Sequence, residues 1–232
     1  MTRRDFMMSG GAALAAALAV PAAKARAAKN GVQLGLTTYQ IGSRWTVAEL
    51  IEFLPRFGLF GVEIRTDMKY AHGLELTSSK AARAEAAKRF ADSPVKLVGV
   101  ASGERYDSPD AARLARAIER TKEMLQFCAD LGAGGLRVFP NDFHKDVPQE
   151  KTLDQIATSL KLLAPVATSL GVELRLEAHG SAGLLPHLAT IAKAVDHPGL
   201  RLKLNSDFRD TKGEGLAANL EKVAPYLGST VH

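Results

Sequence analysis

The sequence predicts an α/β fold of the (β/α)8 TIM-barrel type that is apparently truncated after its seventh strand. From Gly31 onward, short apolar runs alternate with amphipathic stretches, and the runs begin about every 28–40 residues, the length of one strand-plus-helix unit. The connections carry helical patterns and no hairpin signals, which indicates parallel strands. No glycine-rich dinucleotide fingerprint follows the first run, which favours a closed barrel over a doubly wound sheet.

Seven segments predict strands because each is a short run rich in β-branched or other apolar residues, followed by a polar loop. They are Val32–Thr38, Gly61–Arg65, Val95–Val100, Gly135–Phe139, Val172–Glu177, Leu200–Asn205 and Ser229–Val231. A full barrel of eight units takes about 250 residues, whereas only 205 residues follow position 27. We therefore expect a barrel that lacks its last unit and a half, and a shorter seven-stranded sheet is the alternative.

The stretches between the strands have the period of helices. In Ala111–Cys128 the large apolar side chains recur at steps of three and four residues, and Ser108–Asp110 provides a capping segment before them. Gly132 ends this predicted helix, and Thr152–Leu170 shows the same pattern. Cys128 lies on or beside the apolar stripe, so we expect a buried structural thiol.

Residues 1–27 have the three parts of an export signal. Arg3 and Arg4 begin the segment, a short apolar stretch rich in Ala and Gly follows, and Ala25-Arg26-Ala27 gives a small-x-small cleavage site. The paired arginines resemble a twin-arginine signal, and the apolar stretch is shorter than a membrane span. The sequence thus predicts a signal peptide at 1–27, a barrel domain at 28–232, a periplasmic or secreted protein and no stable membrane insertion. A fortuitous alanine-rich helix is the alternative.

The charge of the chain gives little support to a nucleic-acid partner. The formal net charge is +5, but residues 1–27 hold four basic side chains and one acidic one. The remainder has 26 basic and 24 acidic side chains, which leaves a net charge of +2. Such a balance predicts no nucleic-acid binding.

Polar residues stand at the ends of three successive predicted strands. Glu177 ends the fifth strand, Asn205 and Asp207 follow the sixth, and His232 follows the seventh. In barrels of this kind the chemistry gathers at the carboxyl ends of the strands, and adjacent strands lie about 4.8 Å apart. Oxygen and imidazole groups from three neighbouring ends could bind one divalent metal ion, Mn²⁺, Mg²⁺, Co²⁺ or Zn²⁺.

From about Leu34 to His232 the chain resembles the xylose isomerase-like barrels, specifically the sugar phosphate isomerase/epimerase group. The matching pieces are Gly61–Arg65, Tyr70–Gly73, Leu136–Phe139, Leu176–Gly180, His197–Asn205 and Val231–His232. The resemblance implies four metal ligands, namely a Glu, an Asp, a His and a Glu after strands five to eight. The first corresponds to Glu177 and the third to His232. Asn205 departs from the expected Asp, Asp207 is its candidate substitute, and the fourth ligand would lie beyond His232.

The resemblance also implies an activity. In such enzymes the glutamates transfer a proton at the carbon next to a carbonyl group, and Glu177 is the catalytic candidate. His72, Arg137 and His179 are candidate substrate-binding residues, each with a structural alternative as a loop, ion-pairing or capping residue. Glu177 could instead be an interior carboxylate paired with Arg175 or Arg137.

These features predict a metal-dependent sugar isomerase or epimerase that acts on a small keto-sugar or polyol derivative. A lyase or dehydratase acting on a related hydroxy-ketone is a further reading of the same chemistry. The alternatives are a carbohydrate-binding or inactive remnant of such a barrel and, less favoured, an abasic-site endonuclease. The endonuclease would need many more histidines than the six present. We expect the unpaired edge of the seventh strand to cause poor solubility unless a homodimer or a further segment covers it.

Overall fold

A computed structural model describes residues 31–232, and the predicted signal peptide lies outside them. Seven strands alternate with six helices in this part of the chain. The strands are β1 (Gly35–Thr37), β2 (Gly61–Arg65), β3 (Lys96–Arg105), β4 (Gly135–Phe139), β5 (Glu173–Glu177), β6 (Leu200–Leu204) and β7 (Leu227–Val231). The helices are α1 (Val47–Arg56), α2 (Lys80–Ala91), α3 (Ala111–Leu131), α4 (Gln149–Ser169), α5 (Leu185–Val195) and α6 (Leu216–Val223).

The strands form one parallel sheet in sequence order, from β1 to β7. A contact across the sheet shows that it is strongly curled: Lys203 on β6 donates a hydrogen bond of 2.8 Å to Glu63 on β2. In a flat sheet these strands, four places apart, would be separated by about 19 Å. Within residues 31–232, β1 pairs only with β2 and β7 only with β6. The predicted fold class, a (β/α)8-type barrel with seven strands, is confirmed.

Local signals set the ends of the helices. Thr46 and Glu49 form a reciprocal capping box at the start of α1, and Asp110 accepts hydrogen bonds from two backbone N–H groups at the start of α3. Gly132 ends α3 in a left-handed conformation with a φ of 67°. The predicted helix is therefore present, and it ends at Leu131, directly before the predicted stop at Gly132.

Three strands differ from the predicted ranges by more than one residue at an end. β3 continues to Arg105, which pairs with Phe139 of β4 after an irregularity in the register. β1 is shorter than predicted, and β7 begins at Leu227 because a 3-10 turn over 224–226 leads directly into it.

The core lies between the sheet and the surrounding helices. Leu125, Leu136 and Ile156 have no exposed surface, and Cys128 is a buried free thiol, as predicted. Burial raises the pKa of this thiol, which keeps it protonated. No helix in the described part of the chain has the length and apolar character that crossing a membrane requires.

Candidate active site at the carboxyl ends of the strands

Glu177 is the last residue of β5 and points into the curled sheet. The strand alternates, with Leu174 and Leu176 packed in the hydrophobic core, while Arg175 and Glu177 face the interior. Only 2% of Glu177 is exposed. Arg175 does not contact Glu177, because its guanidinium group binds Glu173, Ser229 and the Val98 carbonyl at the opposite end of the sheet.

Two buried cations surround the carboxylate of Glu177. Lys203 Nζ lies 3.2 Å from Oε2, and Arg137 Nε lies 3.6 Å from the same oxygen. The Arg137 guanidinium also donates to the Ser102 carbonyl at 2.8 Å. The sequence analysis gave an ion pair between Glu177 and Arg137 as the structural alternative to a catalytic role, and this pair is present.

Lys203 and Glu63 are interior residues that the sequence analysis missed. Lys203 Nζ donates to both carboxylate oxygens of Glu63, at 2.8 and 3.0 Å, and both side chains are buried. With Arg137 and Glu177 they make a buried group of two cations and two anions. The available signal was the alternation of charged and apolar residues along a strand, as in Leu200-Arg-Leu-Lys-Leu204.

The neighbouring charges determine the protonation state of Glu177. Burial alone would raise its pKa, but Lys203, Arg137 and His232 together bring the pKa below its ordinary value. Glu177 is therefore a carboxylate at neutral pH, with its charge held in the interior of the sheet.

The other oxygen of Glu177 faces the open end of the sheet. Asn205 Nδ2 donates to Oε1 at 3.3 Å, and His232 Nδ1 lies 3.5 Å from the same atom. The backbone N–H of His232 donates to the Leu204 carbonyl at 2.7 Å, which fixes the end of β7 beside β6. Three of the predicted metal ligands therefore converge.

The structure does not bring Asp207 to this cluster. Its carboxylate accepts hydrogen bonds from the backbone N–H and the guanidinium group of Arg209, which holds it in a short turn after β6. No hydrogen bond or ion pair described within 31–232 joins Asp207 to Glu177. Among the same residues, no group of three or more His, Cys, Asp or Glu side chains is arranged to hold a metal ion.

The predicted substrate-binding histidines lie in loops after β2 and β5. His72 is buried, and its Nδ1 accepts a hydrogen bond of 3.0 Å from Leu74 N, while Nε2 has no hydrogen-bond partner among the described groups. His179 is exposed, and its ring lies 4.4 Å from the ring of Phe139. The Arg137 guanidinium lies 4.1 Å from the centre of the same Phe139 ring. Arg137 and His179 therefore both contact the Phe139 ring.

The residues around Oε1 of Glu177 fit a divalent metal ion. They offer a carboxylate, an amide and an imidazole group, and rotation of the Asn205 amide would present its oxygen in place of its nitrogen. Three protein ligands with an open position for water or substrate are typical of catalytic metal sites. Lys203 balances part of the negative charge of these ligands, and its Nζ lies beside Oε2 of Glu177.

The chain belongs to the xylose isomerase-like TIM barrel family, whose sequence model matches residues 51–209. No curated protein matched the chain in a sequence search. The family assignment agrees with the resemblance that the sequence motifs indicated.

Solved structures share the fold at low sequence identity. The 3-keto-D-glucoside 4-epimerase YcjR from E. coli is 16% identical, with a TM-score of 0.71 over 87% of this chain and 78% of that chain. D-psicose 3-epimerase from Clostridium cellulolyticum H10, solved with D-tagatose, is 17% identical, with a TM-score of 0.69 over 85% and 71%. The IOLI protein with a bound zinc atom is 18% identical, with a TM-score of 0.62 over 75% and 62%.

Proposed function

We propose that this chain is a metal-dependent sugar isomerase or epimerase that acts on a small keto-sugar or polyol derivative. The observation that carries the proposal is the convergence of Asn205 and His232 on Oε1 of Glu177, at the ends of three adjacent strands. Structural neighbours that act on 3-keto-D-glucosides and D-psicose support the substrate class. Family membership supports the reaction class.

Glu177, Asn205 and His232 would hold one divalent ion, Mn²⁺, Mg²⁺, Co²⁺ or Zn²⁺. When bound, the ion supplies positive charge that stabilises the negative charge developing on the substrate oxygens during proton removal. The zinc-bound neighbour supports this assignment. Asp207 has no part in the proposed ligand set, because Arg209 engages its carboxylate.

Glu177 is the proposed base. Through Oε1, the oxygen at the open end of the sheet, this carboxylate would take the proton from the carbon next to a carbonyl group and return it to the carbonyl carbon, while the hydroxyl proton passes to the former carbonyl oxygen. Lys203 and Arg137 hold Oε2 and so fix the orientation of the carboxylate. One base that acts on one face suffices for isomerisation, whereas epimerisation requires a second acid on the opposite face.

The substrate would bind beside the Phe139 ring, which both Arg137 and His179 contact. The guanidinium and imidazole groups offer donors to sugar oxygens, while the ring offers apolar contact. His72 would offer its Nε2, which has no hydrogen-bond partner among the described residues.

Deuterium exchange tests this proposal directly. The purified chain, loaded with Mn²⁺, should exchange the proton next to the carbonyl group of a 3-keto-glycoside or ketose in deuterated water, as followed by NMR. Glu177→Gln should abolish the exchange. Glu173→Gln, on the same strand but at its opposite end, should retain it. Equal exchange by wild type and Glu177→Gln would refute the role of Glu177.

A carbohydrate-binding protein without turnover is the second candidate. Two observations favour it: Asn205 provides no negative charge, and Lys203 and Arg137 already balance Glu63 and Glu177. Sugar binding without metal uptake or deuterium exchange would support this candidate over the enzyme.

We also propose export through the twin-arginine pathway, on the basis of residues 1–27. In a bacterial host, replacement of Arg3 and Arg4 by lysine should retain the protein in the cytoplasm. Fractionation followed by immunoblotting would reveal this, and unchanged export would contradict the proposal.

A further inference from the structure

A cleft of about 840 Å³ opens beside the carboxyl ends of β3 and β4. The end of β3, the first turns of α3 and the loop after β4 line it. Its volume lies within the range of small-molecule sites, which is about 300–1,000 Å³. Nothing in the mechanism proposed for Glu177 uses this cleft.

A buried carboxylate orients a histidine within the cleft. Asp107 Oδ2 lies 3.1 Å from His144 Nε2, and it accepts a hydrogen bond of 3.2 Å from Asn141 Nδ2. Asp107 is 6% exposed, whereas the His144 side chain is 39% exposed. Because Nε2 faces Asp107, the other ring nitrogen of His144 remains for a ligand.

The carboxylates around the cleft already have partners in the protein. Glu104 pairs with Arg120 at 2.9 Å, and Asp110 caps α3 and lies 3.7 Å from Arg113. Asp142 accepts a hydrogen bond of 2.9 Å from the backbone N–H of Ser181.

Two of the four arginines that line the cleft have no such partner. Arg105 and Arg116 are exposed, and neither forms an ion pair with any residue that the structure describes in 31–232. The cleft therefore has two guanidinium groups available to an external anion, next to an oriented imidazole.

We propose that this cleft binds the anionic group of a sugar acid or a sugar phosphate. Arg105 and Arg116 bind the carboxylate or phosphate, because a guanidinium group matches either anion with paired donors, and His144 binds a hydroxyl group. The assignment of the ligand as a sugar rests on the proposed function. The two sites lie on neighbouring strands, because Arg105 of β3 pairs in register with Phe139 of β4, whose ring contacts Arg137 and His179.

Calorimetric titration of the full chain tests the proposal with three probes: glucuronate, glucose 6-phosphate and glucose. We expect at least one anionic probe to bind at least about tenfold more tightly than glucose. Arg116→Gln should lower the affinity for that probe by about tenfold. Arg105→Gln should act in the same way. Arg89→Gln removes the same charge from the exposed face of α2 and should leave the affinity unchanged.

The relative affinities of the two anionic probes distinguish a carboxylate ligand from a phosphate ligand. Equal affinity for glucose and both anions, or no change in both arginine variants, would overturn the proposal. The deuterium exchange experiment is independent of this one. An anionic sugar that binds through Arg116 but exchanges no deuterium would refute the proposed reaction and leave the binding site established.

Discussion

Lys203 on β6 donates to both carboxylate oxygens of Glu63 on β2, across the interior of the curled sheet. The same ammonium group lies 3.2 Å from Glu177. One lysine thus connects a structural carboxylate to the candidate base. Removal of Lys203 would leave the buried carboxylates of Glu63 and Glu177 with less positive charge beside them.

Lys203→Met should lower the free energy of unfolding by about 3–5 kcal/mol, the range for breaking a buried ion pair by removing one partner. Urea denaturation followed by circular dichroism would measure it. Lys161→Met, at an exposed position of α4, is the control and should change stability little. The double variant Lys203→Met/Glu63→Met should recover part of the loss. No recovery would show that the pair with Glu63 is not the source of the effect.

His232→Ala should weaken Mn²⁺ binding by at least about 10–100-fold, since loss of an outer-shell partner alone has effects of that size. Its stability without metal should be nearly unchanged, because its side chain is half exposed. Titration calorimetry would measure the affinity, with His197→Ala as a control in the turn before β6. Identical metal affinity in the wild type and in His232→Ala would exclude this imidazole as a ligand.

Removing one or the other partner of the hydrogen bond between Tyr106 and Thr121 should lower the stability of the fold by different amounts. The Thr121 hydroxyl donates to the Ala117 carbonyl at 2.7 Å, so the Tyr106 hydroxyl donates to Thr121 at 2.8 Å. Thr121→Val leaves a buried phenol unsatisfied and should be destabilising by about 1–3 kcal/mol, whereas Tyr106→Phe should be destabilising by about 1 kcal/mol. Thermal and urea unfolding of both variants would check the order, and the reverse order would contradict this assignment of donors.

Acid should destabilise the fold in part through His72. Burial lowers its pKa below the ordinary value of 6.5, and the nearby Glu75 offsets this only in part. The neutral form is thus favoured in the folded state, so the contribution to stability is complete above about pH 6.5 and is lost as the pH decreases toward the folded-state pKa.

His72→Asn should reduce the loss of stability between pH 7 and pH 5, because the Asn oxygen can still accept the hydrogen bond from Leu74. His197→Asn is the matched control, since His197 Nδ1 accepts a hydrogen bond from Gly199 in an equivalent turn. Unfolding curves at each pH would compare the variants. An unchanged pH dependence in His72→Asn would rule out this contribution.

Residues at strand ends could be located from the sequence because the ends of parallel strands share one edge of the sheet. That rule placed Glu177, Asn205 and His232 together. It could not place Asp207, because the position of that side chain depends on Arg209, two residues further along a turn.

The interior ion pairs could not be found in this way. Lys203 and Glu63 are 140 positions apart in the sequence, and no local pattern relates them. Their contact depends on the curvature of the whole sheet. The same holds for the extension of β3 to Arg105, which follows from its irregular register with β4.

The outer edge of β7 presents backbone N–H and C=O groups that pair with no strand in residues 31–232. A strand that joined this edge in the parallel direction would bring its own carboxyl end next to the His232 imidazole. Whichever polypeptide supplied that strand would also supply a further side chain beside the proposed ion site. Addition of a strand to the sheet and addition of a ligand to the proposed site would then be one event.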